Sequence, residues 1–152
     1  MVFAGIALGI ATLNGLLLAT RWIPDVASPY LGHLGDRLGH EKVLLATMPI
    51  CAIALLLMAS NAPLELTFSW LPFTFIATAA SYISLSALAG GLAPTPRRAR
   101  VMSRFATWQD LGSASGPLLA YAAISSVSLE PVYLGGAILM VAALGCFIIG
   151  FV

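Results

Sequence analysis

Apolar and polar positions along the chain fall into long blocks rather than a helical or strand alternation. Five apolar segments cover about residues 3–33, 43–60, 66–90, 103–125 and 131–152. Short polar joints separate them. Two of these, "SNAPLEL" and "SSVSLEP", are rich in turn formers and carry Glu65 and Glu130. The other two are the stretch around residues 34–42 and "GLAPTPRRARVMSR". About 20 mainly apolar residues make a helix long enough to cross a bilayer, so the pattern predicts an all-α polytopic membrane protein. It forms a single membrane domain, residues 1–152, of five spanning helices. The first segment exceeds one upright crossing. Pro24 and Pro29 offer a kink, because each removes an internal hydrogen bond.

Composition agrees with the pattern. The chain has 152 residues, 60% hydrophobic and 9% charged, where a soluble domain carries about 25% charge. Net charge is +1 and identifies no partner, but the placement of the charges is informative. Arg37, Lys42, Arg97, Arg98, Arg100 and Arg104 all fall at the first and third joints. The positive-inside rule then puts those joints in the cytoplasm, with the N-terminus outside and the C-terminus inside. Cys51 and Cys146 lie inside apolar segments without metal-ligand spacing and read as packing residues.

The first joint belongs to the stretch "PYLGHLGDRLGHEK", residues 29–42. Two helices must reverse there within a few residues. Gly32, Gly35 and Gly39 permit a tight turn and close helix approach. Asp36 can accept hydrogen bonds from the N–H groups at a neighbouring helix start, where the dipole is positive. The series Gly32, Leu34, Gly35, Asp36, Arg37 and Gly39 resembles the loop signature of the major facilitator superfamily, Gly-x-Leu-small-Asp-Arg-x-Gly followed by two basic residues. His40 and Glu41 stand where those basic residues are usual, and Lys42 comes just after. A second stretch, Gly112, Gly116 and Pro117, is similar to the Gly-Pro bend of the fifth helix of a half in the same family. Arg104 and Ala120-Tyr121 depart from the antiporter form of that motif.

The resemblance implies a major-facilitator-type half, helices two to six of six, better suited to the C-terminal half than to the N-terminal one. The first helix and the other half of the transporter are then missing, and the chain is expected to be a fragment. It also implies secondary active transport of a small-molecule substrate by alternating access. In the family the loop aspartate meets arginines of its own half, so Asp36 with Arg100 or Arg104 is expected to form a conformational latch, together with Gly32, Arg37 and Gly39. Gly112, Gly116 and Pro117 are expected to supply a close-packing face and a bend. The alternative is a non-transporting five-span scaffold or assembly partner.

Charges inside the segments suggest a site. Arg21 and Asp25 are four apart and share a helix face. Asp25 lies about 13 Å from the end of its segment at Leu34, and Asp110 about 9 Å beyond Arg104, at 1.5 Å per residue. A charge at the bilayer centre costs about 2.5–3.5 kcal/mol on insertion scales. Such groups must pair or face water. Arg21, Asp25, Tyr82, Gln109 and Asp110 are therefore candidates to line a substrate or proton cavity. A purely structural role, with Arg21 paired to Asp25 and Asp110 bonded to a neighbouring backbone, stays open. His33 and His40 have no further ligands around them, so no metal or cofactor is expected. Nothing forms a nucleophile-base pair, so no enzyme is expected. The basic run "RRARVMSR" at a membrane joint reads as a topology signal or a contact with anionic lipid, not as a nucleic-acid site.

Overall fold

A computed structural model of the chain describes residues 2–3, 6–7, 12, 15, 19–20, 22–60, 63–124 and 128–151. Their architecture is all-α and polytopic. The helices are α1 (Ile23–Leu38), α2 (His40–Ala59), α3 (Leu64–Leu92), α4 (Arg98–Ile124) and α5 (Leu129–Phe151), with a 3-10 turn at Thr95–Arg97 before α4. One local difference from a helix running from about residue 3 is a two-residue antiparallel ladder, Val2–Phe3 (β1) against Ile6–Ala7 (β2). Val2, Phe3 and Ile6 are β-branched or aromatic side chains that suit extended backbone.

Among the described residues three helices are long and apolar enough to cross a bilayer: α2, α3 over Ser69–Leu92, and α5 over Leu129–Gly150. The other two carry more charge. Asp25, Asp36 and Arg37 lie in α1, while Arg98, Arg100, Arg104 and Asp110 lie in α4. Pro29, Pro49, Pro72 and Pro117 lie inside α1, α2, α3 and α4, where each removes an internal hydrogen bond. Pro24 occupies the first turn of α1, where its missing N–H has no intrahelical partner anyway.

The joint between α1 and α2 is a single residue. Gly39 has φ +92°, a region that side-chain-bearing residues rarely enter. Its N–H closes α1 on the Gly35 carbonyl at 2.9 Å, and its own carbonyl accepts the Val43 N–H at 3.2 Å to open α2. Most of the glycine-rich stretch is thus helix, and the reversal is concentrated at one position.

Helix α2 is the hub, packed against α3 and α5, while α1 and α4 lie against α3. Buried positions on α2 are Val43, Leu44, Cys51, Ala52 and Ala54. Across from them lie Ala77, Ala80 and Ser84 of α3 and Ala137 of α5. The α3 residues follow at three- and four-residue steps and so share one face. Lipid tails remove the hydrophobic drive between helices, so close packing of small residues must hold them together. Two polar pairs cross the α2–α3 seam: Thr47 and Ser81 hydroxyls at 2.7 Å, and Cys51 Sγ with the Thr78 hydroxyl at 3.6 Å. Within each helix the hydroxyls also find backbone acceptors, as Ser81 does on Ala77 O at 2.8 Å and Thr78 on Thr74 O at 2.7 Å.

Candidate functional site

Two regions carry the chemistry: the α1–α2 turn, and the face that α3 and α4 leave uncovered. In the turn, His40 and Asp36 are four residues apart and their side chains meet, Nε2 to Oδ1 at 3.2 Å. Asp36 is 73% exposed and His40 only 19%. The difference arises from Gly35. Its missing side chain leaves the space that the His40 ring fills, and a methyl there would collide with Nδ1 and Cε1 of that ring. Nδ1 itself is buried without a hydrogen-bond partner. The ring is therefore seated by packing at Gly35 and by one hydrogen bond to Asp36, which becomes an ion pair when the ring is protonated. Gly32 lies at van der Waals range of Ile83 on α3, 4.0 Å from where a Cβ would sit, so α1 comes close to α3 just above the turn.

Among the described residues, no ion pair joins Asp36 to Arg100 or Arg104. Arg100 and Arg104 are exposed at the start of α4, and α4 packs against α3 and α5. The described side-chain partner of Asp36 is His40, at 3.2 Å. Arg37 is exposed in the last turn of α1, where a cation suits the negative end of the helix dipole.

On the α3–α4 face, Tyr82 stacks on Phe105 with ring centroids 6.4 Å apart and planes 20° from parallel. Gln109 follows Phe105 by one turn on the same side of α4 and is half-buried. Tyr82 and Gln109 thus each adjoin Phe105. Asp110 lies about 100° further round α4 and is exposed, as is Trp108. Asp25 is helical in α1; its side chain and all of Arg21 lie outside the described residues. A Cβ at Gly112 or at Gly116 would have nothing within 4 Å. The glycine face of α4, expected to pack closely, is open in this bundle. Gly116 instead borders an apolar groove of about 500 Å³ between α4 and α5, with Ala120, Pro131 and Gly135. Pro117 lies inside α4, which continues through it.

Sequence reasoning missed the seat of His40 on Gly35 and the role of Phe105. The first had a readable signal: a histidine five residues after a small residue, across a glycine that ends a helix. The hydroxyl seam had one too, since Thr74, Thr78 and Ser81 recur at helical spacing.

A charged turn at one end of an all-α bundle of long apolar helices is the form of a polytopic membrane protein. The sequence profile of the Major Facilitator Superfamily matches residues 11–152, and the chain belongs to that family. It is 30% identical over 136 residues to the multidrug resistance protein MdtG of Enterobacter lignolyticus, covering 86% of this chain and 32% of that protein. MdtG of Rahnella sp. is 29% identical over 143 residues with the same coverage, and MdtG of Escherichia coli O1:K1 is 28% identical over 142. The chain spans about a third of the length of these curated relatives. No solved structure matches it.

Proposed function

We propose that this chain is part of a secondary active transporter that moves a small organic solute across a bacterial inner membrane by alternating access. The observation that carries the reading is Asp110. It is exposed on α4, about two turns of helix before Pro117, and a carboxylate in a membrane helix must face water or a partner. An open helix face carrying such a group suits the wall of a solvated cavity completed by other helices. Family membership supports the same reading. The shared name of the relatives, multidrug resistance protein, supports export of varied organic solutes as the substrate class. Asp25 and Asp110 are the proposed proton or substrate carboxylates, with Arg21, Tyr82 and Gln109 beside them. The charged end of the bundle is taken as cytoplasmic.

In this proposal the turn is a latch with two partners. Asp36 holds His40 in one conformation and exchanges to Arg100 or Arg104 in another. The test uses the full-length protein in proteoliposomes with a panel of fluorescent organic cations. Asp110→Asn should lower the transport rate by about a hundredfold or more, the scale of a lost proton-transfer group, with unchanged protein level and thermal stability. Wild-type rates in both Asp25→Asn and Asp110→Asn would remove these carboxylates from the mechanism.

A further inference from the structure

We propose that an anionic glycerophospholipid binds at the arginine-bearing end of the bundle, with an acyl chain in the cleft between α3, α4 and α5 and its phosphate on Arg97 and Arg98. The cleft is about 330 Å³ and is lined by Leu85, Leu88, Ala89, Leu92, Phe105 and Phe147. None of these side chains has a polar atom, so the cleft suits a hydrocarbon and offers nothing to a polar solute. Phe105 is held as a fixed wall by its stack on Tyr82.

The mouth of the cleft is cationic. Arg98 precedes Phe105 by seven residues, two turns along the same face of α4. Its Nε donates to the Gly90 carbonyl at 2.7 Å, next in sequence to Ala89 of the cleft wall. That bond uses one of five guanidinium donors and leaves both Nη groups for a phosphate. Arg97 adjoins it in the 3-10 turn, and both side chains are exposed. Among the described residues, no carboxylate lies within ion-pair distance of Arg97, Arg98, Arg100 or Arg104. The two features select one chemistry together. A water-soluble anion would satisfy the arginines and leave the cleft empty. A neutral lipid would fill the cleft and leave the arginines unmatched. A lipid with an anionic headgroup does both, and basic pockets between membrane helices hold such headgroups. The inference requires only that the chain lie in a bilayer, not that it transport anything.

The test places the full-length protein in phosphatidylcholine nanodiscs with a trace of either phosphatidylglycerol or phosphatidylcholine bearing a diazirine on one acyl chain. Adducts are mapped by peptide mass spectrometry. Each arginine near an anionic headgroup is worth about fivefold in affinity. Labelling of the peptides holding Leu85–Leu92 and Phe147 should therefore favour the phosphatidylglycerol probe by about tenfold or more. Replacing both Arg97→Gln and Arg98→Gln should bring that preference to about twofold or less. Ala89→Trp, which fills the cleft and keeps every charge that sets topology, should remove labelling by both probes at these peptides. Equal labelling by the two probes in the wild type would overturn the proposal. So would a phosphatidylglycerol preference that survives the double arginine variant, or an unlabelled cleft, which would mean that another helix covers it.

Discussion

The two sides of α3 make the most instructive contrast in the molecule. One side carries Ala77, Ala80 and Ser84, all buried. The other carries Tyr82, Leu85 and Leu92, all exposed. A soluble protein would reverse this arrangement, hiding the large apolar groups. In lipid a large apolar side chain gains nothing by leaving the acyl tails, whereas small ones let backbones touch. The alanine side is therefore a finished interface. The Tyr82 side, together with exposed Val26 and Tyr30 of α1 and Trp108, Leu118 and Tyr121 of α4, is open to lipid or to further helices.

The contrast is broken most easily at Leu44, which is 2% exposed at the charged end of the α2–α3 seam. Leu44→Ala leaves a cavity that neighbouring helices can fill only in part. It should cost about 2–5 kcal/mol, the range for buried leucines, with values near the lower end because lipid also accepts the freed surface. The measurement is reversible unfolding by sodium dodecyl sulfate in mixed micelles. A cost below about 0.5 kcal/mol, the level of an ordinary surface change, would mean that the seam is not closely packed.

Gly39→Ala should come next, at about 1–3 kcal/mol for holding a side-chain-bearing residue in a sparsely populated backbone region. The open space around its Cβ position makes this a test of backbone conformation alone. Gly35→Ala tests the opposite cause, because there the obstacle is the His40 ring and φ is ordinary. The second change should expel the ring and release Asp36, read as loss of the coupling between Asp36 and His40 in a double-mutant cycle. Equal stability of Gly39→Ala and wild type would show that the turn adapts freely.

The sequence revealed the helical membrane class and the turn, because each rests on a local property. Apolar block length needs no partner, and Gly39 acts through its own backbone. What it left hidden depends on three-dimensional partners. Asp36 was matched to Arg100 and Arg104 by a family resemblance, yet in this structure it lies against His40, the residue that replaces the usual base. Which side of α3 is covered was also unreadable, since alanine and leucine are both apolar and only inter-helix distance separates their roles. Gly112 and Gly116 mark a packing face by composition, but the helix that would pack there is not among those described. Arg21 and the Asp25 side chain, central to the expected cavity, lie outside the described residues.

A smaller effect sharpens the view of the seam. The Thr47–Ser81 pair at 2.7 Å spans α2 and α3, but both hydroxyls can fall back on their own helices, Thr47 on Val43 O at 2.8 Å and Ser81 on Ala77 O. The cycle of Thr47→Val and Ser81→Ala should therefore give a coupling of only about 0.6 kcal/mol, the average for such bonds between membrane helices. A coupling above about 2 kcal/mol would exceed the largest value found for such bonds and would make the seam a polar lock rather than a packing surface.

The smallest expected effect probes the open side. Leu118 is 72% exposed on α4, so Leu118→Ala exchanges contact with lipid tails for contact with lipid tails. It should change the unfolding free energy of this chain by no more than about 0.5 kcal/mol. The same substitution in the full-length protein has a different expectation if further helices cover α4, because a leucine packed against a helix leaves a cavity when shortened. The difference between the two measurements is then the contribution of the covering helices at that position. A large loss already in the isolated chain would mean that α4 folds back on its own bundle, and the division of α3 into a closed side and an open one would fail with it.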